Sequence, residues 1–197
     1  MRLVSIGMLS VAAIAVVTPT ALAGHPQERQ GFYAGLALGV GGATETCGEC
    51  ERGERQWGLA GDFRLGWATG RHALWGAEVG YSRTEAFGVT LTLYDVLLAV
   101  TVYPAADRGF FLKAGFGGAF SKRSYDIGTG TVEGDTNDGL AAMVGAGYDL
   151  RLGRDVSVTP GVTYWRTNSI ETGAGDVVSL NFQKYDVLAF SVGVTLH

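Results

Sequence analysis

The chain has 197 residues, a formal net charge of −4, and a composition that is 47% hydrophobic and only 17% charged. This acidic balance argues against nucleic acid as a partner, because nucleic-acid-binding domains are typically basic. The 31 glycines follow no triplet period and lie inside apolar runs, which argues against a collagen-like or low-complexity chain.

The N-terminal segment differs from the rest of the chain. Arg2 precedes the apolar run Leu9–Val17, which is too short to span a bilayer comfortably, and Pro19 and the small-residue pattern Ala21-Leu22-Ala23 follow. We therefore predict a cleaved secretory signal peptide over residues 1–23, with an uncleaved anchor as the alternative. Residues 24–197 then form one domain, in which no segment is long and apolar enough for a transmembrane helix.

The rest of the chain is organised in segments whose apolar residues recur at every second position, which is the period of a β-strand. Eight such segments follow in order: Gly31–Gly42, Gln56–Gly70, Ala73–Arg83, Leu91–Tyr103, Phe110–Ser121, Leu140–Leu150, Val156–Arg166 and Asp186–His197. Short connections are Thr69–His72, Pro104–Arg108 and Gly153–Asp155, and longer ones are Ala43–Arg55, Thr84–Thr90, Asp126–Gly139 and Thr167–Val178. This alternation is typical of an outer-membrane barrel with short periplasmic turns and longer outer loops.

The second segment indicates which surface faces lipid. One face carries Trp57, Phe63 and Trp67, and the other carries Asp62 and Arg64. Trp57 and Trp67 are ten residues apart, which corresponds to a climb of roughly 25 Å along a tilted strand, the height of the apolar band of a membrane barrel. We therefore predict an all-β fold, an eight-stranded antiparallel up-and-down transmembrane β-barrel. Its backbone hydrogen bonds are satisfied by closure.

Two turns predict strand registers. If Gly70-Arg71-His72 is a three-residue hairpin loop, Trp67 pairs with Trp75 on the lipid face and Arg64 pairs with Glu78 on the interior face. If Pro104–Arg108 is a complete turn, Val102 pairs with Phe110. Tyr94, Val96, Leu98 and Val100 then face outward, with Asp95 inside.

The alternation predicts an interior that is small and charged. Asp62, Arg64, Glu78 and Lys113 form a lumen charge network, because charges in a narrow barrel need partners. A salt-bridged plug and a narrow ion path are both compatible with these residues. The predicted aromatic belts at the two membrane interfaces comprise Trp57, Trp67, Trp75, Tyr81, Phe110, Phe120, Tyr148 and Tyr164.

The first outer loop contains the two cysteines, Cys47 and Cys50. In an exported protein they are expected to form a disulfide. A redox motif would need a neighbouring βαβ unit and a zinc site two further ligands, and the sequence predicts neither.

The histidines argue against catalysis. His25 follows the cleavage site, His72 lies in a periplasmic turn and His197 is the last residue, so none falls in a predicted outer loop. Barrel enzymes that act at the outer end would need a base there beside a nucleophile. We therefore predict no catalytic residue, no metal site and no cofactor, and we interpret the acidic residues of the outer loops as a solvated surface.

The N-terminal Gly31-Phe32-Tyr33-Ala34-Gly35, the eight alternating segments and the final Ser191–His197 resemble the OmpA-like or OmpX-like small outer-membrane β-barrel family of Gram-negative bacteria. The resemblance implies an outer-membrane location, contact with outer-membrane lipid and lipopolysaccharide, and recognition of the C-terminal strand by the barrel insertion machinery. That strand usually closes on an aromatic residue in the family, whereas this chain ends on His197.

The function predicted from the sequence is a non-enzymatic barrel with a structural, adhesion or surface-interaction role, in which host or cell-surface ligands contact the outer loops. A lipid A-modifying barrel enzyme and a narrow small-solute channel are the alternatives. A soluble lipocalin-like barrel is a weaker one, because it would need an apolar cavity.

Overall fold

The computed structural model describes residues 29, 31–46, 53–86, 88–128, 130–153, 155–171 and 181–197. The predicted signal peptide and both cysteines lie outside these residues. The described part of the chain forms nine strands: β1 (Gly31–Thr46), β2 (Gln56–Ala68), β3 (Ala73–Ala86), β4 (Val89–Val102), β5 (Phe110–Asp126), β6 (Thr131–Tyr148), β7 (Leu150–Arg151), β8 (Val156–Glu171) and β9 (Asn181–Leu196). No helix in these ranges is long and apolar enough to cross a membrane.

The strands close into a barrel. Each pairs antiparallel with its neighbours in the order β6-β5-β4-β3-β2-β1-β9-β8-β7, and β6 also pairs with β8. The two-residue β7 continues β6, because both pair with β8 in one register. That register sets Pro160, which has no N–H to donate, opposite Tyr148, and the ladder is interrupted there. The fold is thus the predicted eight-stranded antiparallel barrel.

The two faces of the strands differ as the period of two predicts. The outward face carries exposed apolar side chains, such as Leu38 at 59% and Leu98 at 72% exposure. The inward residues Ala37 and Leu97 are 2% and 1% exposed. An apolar outer surface on a closed barrel suits hydrocarbon, in which only closed sheets and helices satisfy all backbone groups.

One predicted register is confirmed and one is wrong. Arg64 pairs with Glu78 and Trp67 with Trp75. Val102, however, pairs with Leu112 and not with Phe110. The turn is longer than predicted because the Tyr103 N–H donates to the His72 carbonyl oxygen at 2.8 Å, and Tyr103 points into the barrel. The predicted partner of Val102 is wrong by two residues. Because side chains alternate between the two faces with a period of two, the predicted facing of β4 is still correct.

The predicted long loop Asp126–Gly139 is also wrong, because β5 continues to Asp126 and β6 begins at Thr131. The predicted connection Thr84–Thr90 is likewise mostly strand, and Gly88 in its turn has a φ of 75°. Strands β3 to β6 therefore extend as one sheet past the outer aromatic residues Tyr81 and Phe120. Alternation did not reveal these extensions because their residues are mostly polar and show no apolar period of two.

Candidate functional site: the barrel lumen

The predicted charge network lies in the centre of the lumen, on β2, β3 and β5. Lys113 Nζ lies 2.5 Å from Glu78 Oε1, and both side chains are 4% exposed. Arg64 Nε lies 3.0 Å from Asp62 Oδ1. The register sets Arg64 opposite Glu78, but the ion pairs join Glu78 to Lys113 across the lumen and Arg64 to Asp62 along its own strand.

A fifth charged residue, Asp95, lies beside this network. It is 4% exposed on the inward face of β4, as the sequence predicts. Gly80 on β3 gives it room, because a Cβ at that position would lie 2.3 Å from Asp95 Oδ2. The glycine is therefore needed for close approach rather than for an unusual backbone angle.

Little space remains around these charges. One cavity of about 10 Å³ is lined by Asp62, Glu78 and Asp95 among others. A second, of about 10 Å³, is lined by Asp62, Arg64 and Lys113 among others. Each volume suffices for about one water molecule. The centre of the barrel is thus filled with side chains.

An apolar layer lies in the lumen next to the charges. Its largest side chains are Leu93, Leu97, Met143, Trp165, Tyr185 and Val187. The prediction that the interior is only small and charged is therefore wrong. Several of these residues face inward by alternation, but the sequence cannot show which of them meet across the lumen.

The periplasmic end is closed by a cluster that sequence reasoning missed. The guanidinium carbon of Arg29 lies 3.4 Å from the centroid of the Tyr103 ring, and Arg29 also donates to the carbonyl oxygens of Ala106 and Arg108 at 3.1 and 2.9 Å. The Tyr103 hydroxyl donates to Asp149 Oδ2 at 2.7 Å. Arg29 is fully buried, so the start of the barrel domain is anchored inside the barrel.

Asp149 is the acceptor at the centre of this cluster. Thr159 donates to its Oδ1 at 2.8 Å, and His197 Nε2 lies 3.6 Å from its Oδ2. Burial acts to raise the pKa of Asp149, but His197, Tyr103 and Thr159 outweigh it and hold the pKa below its ordinary value. Burial and the Asp149 carboxylate raise the pKa of the Tyr103 phenol. The terminal His197 thus packs in the lumen, with its side chain 2% exposed.

The outer end of the lumen is spanned by Arg123, Glu45 and Tyr185. Arg123 Nη2 donates to Glu45 Oε1 and, at 2.9 Å, to the Tyr185 hydroxyl. Tyr185 is fully buried. Polar contacts therefore cover the apolar layer from the outer side.

The predicted belt residues lie on the outward face at two levels. Toward the periplasmic end are Trp67, Trp75, Phe110 and Tyr148, and toward the outer end are Trp57, Tyr81, Phe120 and Tyr164. Neighbouring aromatics extend both levels: Phe32 packs on Trp67 with ring centroids 6.1 Å apart, and Tyr94 packs on Tyr81 at 5.3 Å.

The two histidines that the structure describes, His72 and His197, both lie at the periplasmic end. His72 Nδ1 is 3.0 Å from the Tyr103 carbonyl oxygen. Within the described ranges no three His, Cys, Asp or Glu side chains come together in a group that could hold a metal ion.

Comparison with known proteins identifies a matching family and several solved structures of similar fold. The family model described as "Outer membrane protein beta-barrel domain" matches residues 5–197. No curated protein matches the sequence. The structure is similar to that of Neisserial surface protein A (TM-score 0.54, 15% identity, covering 86% of this chain and 98% of that one). It is also similar to Ail, the attachment invasion locus protein of Yersinia pestis (TM-score 0.53, 11% identity, 84% and 99%), and to outer membrane protein AlkL (TM-score 0.50, 15% identity, 85% and 90%). At these identities the likeness shows a shared fold.

Proposed function

Because this chain belongs to the outer membrane protein β-barrel domain family, we propose that it is a non-enzymatic barrel whose outer strands and loops carry out adhesion or another surface interaction. In this proposal the lumen serves stability, and the outward wall contacts outer-membrane lipid and lipopolysaccharide. The barrel insertion machinery reads the C-terminal strand, which places Leu196 outward and His197 inward.

The filled lumen is the observation that carries the proposal. A channel needs a continuous polar path, but the central cavities hold about one water each. An apolar layer and a buried periplasmic cluster lie in the same lumen. An eight-stranded barrel is wide enough for its own side chains or for one small ligand, and here side chains occupy the centre. What remains available for function is the outer surface.

The hairpin of β5 and β6 offers a contact surface there. Tyr125 and Val132 pair directly across the two strands, and they are 40% and 48% exposed. Ile127, at the turn, is 60% exposed. The three side chains lie beyond the outer aromatic residue Phe120 and form an exposed apolar patch on the end of this hairpin. Such patches favour protein contacts.

Adherence of bacteria that display the protein tests this proposal. The variant Tyr125→Ser/Ile127→Ser/Val132→Ser should lower adherence to cultured host cells about tenfold or more, because buried apolar anchors dominate binding energy. The matched control is Leu152→Ser, which removes a 62% exposed leucine from a periplasmic turn. Equal adherence of the triple variant and the wild type would contradict the proposed role of this hairpin.

Two further measurements address the alternatives. Planar-bilayer recordings of the purified barrel should show no steady single-channel conductance. Mass spectrometry of lipid A from cells with and without the gene should show the same acyl pattern. A stable conductance would favour the channel, and a changed acyl pattern would favour the enzyme.

A further inference from the structure

Three cations lie on the outward face of four neighbouring strands, at the outer end of the barrel. Arg166 lies on β8, Lys184 on β9, and Arg55 directly precedes β2. The outward alternation of these strands places them on the lipid-facing wall, together with the polar side chains of Thr46 and Asn168. We call these five residues the outer-rim patch.

The strand registers bring the outer-rim patch together. Arg166 pairs with Asp186, which pairs in turn with Thr44 of β1. Lys184 is the next outward-facing residue of β9 toward the outer end. It pairs with Asn168 of β8 on one side and with Thr46 of β1 on the other. Diagonal neighbours on one face of a sheet are about 7–8 Å apart, so Arg166 and Lys184 can bind the same small anion.

Among the described residues at these outward positions, the one acid, Asp186, is already engaged. Asp186 Oδ1 accepts a hydrogen bond from the Tyr164 hydroxyl at 2.6 Å and lies 3.7 Å from Arg166 Nε. The Asp186 side chain is 8% exposed, whereas that of Arg166 is 50% exposed. Asp186 therefore orients Arg166, and the exposed charge of the outer-rim patch is positive although the whole chain is acidic.

Arg55 completes the patch on the other side of β1. Its side chain lies across Gly42, where a Cβ would come within 2.7 Å of the Arg55 Cδ, and its Nη1 donates to the Gly42 carbonyl oxygen at 3.2 Å. The indole of Trp57 lies beside it and stacks on Phe190 at 6.3 Å. Because the aliphatic part of the Arg55 side chain is already packed, it loses less conformational freedom on binding an anion than a freely rotating arginine would.

The level of the outer-rim patch indicates its ligand. Tyr164, Leu188, Gly42 and Trp57 lie in one register row, and the cations begin one outward position beyond it. Aromatic side chains mark the membrane–water interface, so the cations lie at the height of the lipid head groups. At the opposite end the equivalent positions beyond Trp67 and Trp75 are occupied by Thr69 and Ala73.

The opposite wall of the barrel provides a contrast. Arg83 and Lys122 also lie just beyond belt residues, but three exposed acids accompany them there: Glu85, Glu133 and Asp138. Lys122 is bound to Glu133 at 2.6 Å. Counting the outward-facing residues that the structure describes beyond the aromatic level, the β8–β9–β1–β2 wall is therefore the one with excess positive charge.

We propose that the outer-rim patch is a binding site for the phosphate group of an outer-leaflet glycolipid such as lipid A. A phosphomonoester carries up to two negative charges and several acceptor oxygens, which suit a guanidinium, an ammonium and hydroxyl donors together. The inference rests on the outer-membrane placement within the proposed function, but not on adhesion.

Native mass spectrometry of the full-length barrel in neutral detergent tests the site. Bis-phosphorylated lipid A, lipid A without phosphate and phosphatidic acid are each titrated against the wild type and against Arg166→Gln/Lys184→Gln. Each basic residue near an anionic membrane surface contributes about fivefold in affinity, so the double variant should bind bis-phosphorylated lipid A roughly 25-fold more weakly. Arg71→Gln, in a periplasmic turn, is the matched control and should bind as the wild type does.

Each other outcome overturns a defined part of the inference. Equal binding by the double variant, or equal loss in Arg71→Gln, would overturn the site. Tight binding of the phosphate-free glycolipid would overturn phosphate recognition, and equal binding of phosphatidic acid would overturn the assignment to a glycolipid. Heat-dependent gel mobility reports folding of every variant. Failure of the adherence test would leave these binding measurements unchanged, so the two proposals fail separately.

Discussion

The substitution Glu78→Gln tests the role of the lumen charges most directly. In the wild type the Glu78 carboxylate neutralises the Lys113 ammonium at 2.5 Å, with both side chains 4% exposed. A neutral amide would leave the ammonium buried without its carboxylate. Removal of one partner of a buried ion pair costs about 3–5 kcal/mol of unfolding free energy. That corresponds to a decrease of roughly a hundredfold to a few thousandfold in the folded-to-unfolded ratio.

Urea unfolding in lipid vesicles, followed by circular dichroism, measures this effect. The exposed pair Lys122–Glu133, with side chains 40% and 73% exposed, provides the control, because Glu133→Gln should cost less than about 1 kcal/mol. The double variant Glu78→Gln/Lys113→Met should recover most of the loss, because it removes the unpaired charge as well. A loss below about 1 kcal/mol in Glu78→Gln would refute the reasoning.

Two further predictions concern the periplasmic cluster and the packing of the lumen. The pKa of Asp149 is lowered in the folded state, so its contribution to stability is complete above its unfolded pKa of about 4 and is lost as the pH falls through the folded value. Asp149→Asn should therefore reduce the dependence of the unfolding free energy on pH in the acid range. The pKa of Tyr103 is raised, so its contribution is complete below about pH 10 and is lost above it, and Tyr103→Phe should flatten the alkaline limb in the same titration. Gly117→Ala should destabilise by about 1–3 kcal/mol, because its methyl would lie 2.1 Å from the backbone carbonyl oxygen of Val96, which cannot move aside as a side chain can. Gly118→Ala, whose methyl would meet nothing closer than 4.0 Å, should change the urea midpoint little, and equal midpoints for the two variants would contradict this account.

The sequence predicted the side-chain facing of single strands and one register between neighbouring strands. Alternation placed Phe32 outward, because lipid and lumen impose a period of two on each strand. The predicted turn before β5 placed Leu98 outward and Asp95 inward, and its error of two residues left that facing unchanged. The pairing of Arg64 with Glu78 followed from one hairpin turn, since turn length fixes the register of the strands it joins.

The sequence did not predict contacts between strands that are not neighbours. Lys113 on β5 meets Glu78 on β3, and the N-terminal Arg29 meets Tyr103 at the end of β4. Such contacts depend on the tilt and stagger of the closed barrel, which no single strand encodes. The extent of the outer strands was missed for another reason: residues 122–126 (KRSYD) are mostly polar and show no apolar period.

The position of Trp165 gives the protein a built-in spectroscopic reporter. Of the 4 tryptophans, Trp57, Trp67 and Trp75 are more than half exposed on the outer wall, whereas Trp165 is 5% exposed among the apolar side chains of the interior. Brominated acyl chains should quench the emission of the first three and spare the fourth. The residual emission would then report hydration of the barrel interior in an intact membrane, without any attached label.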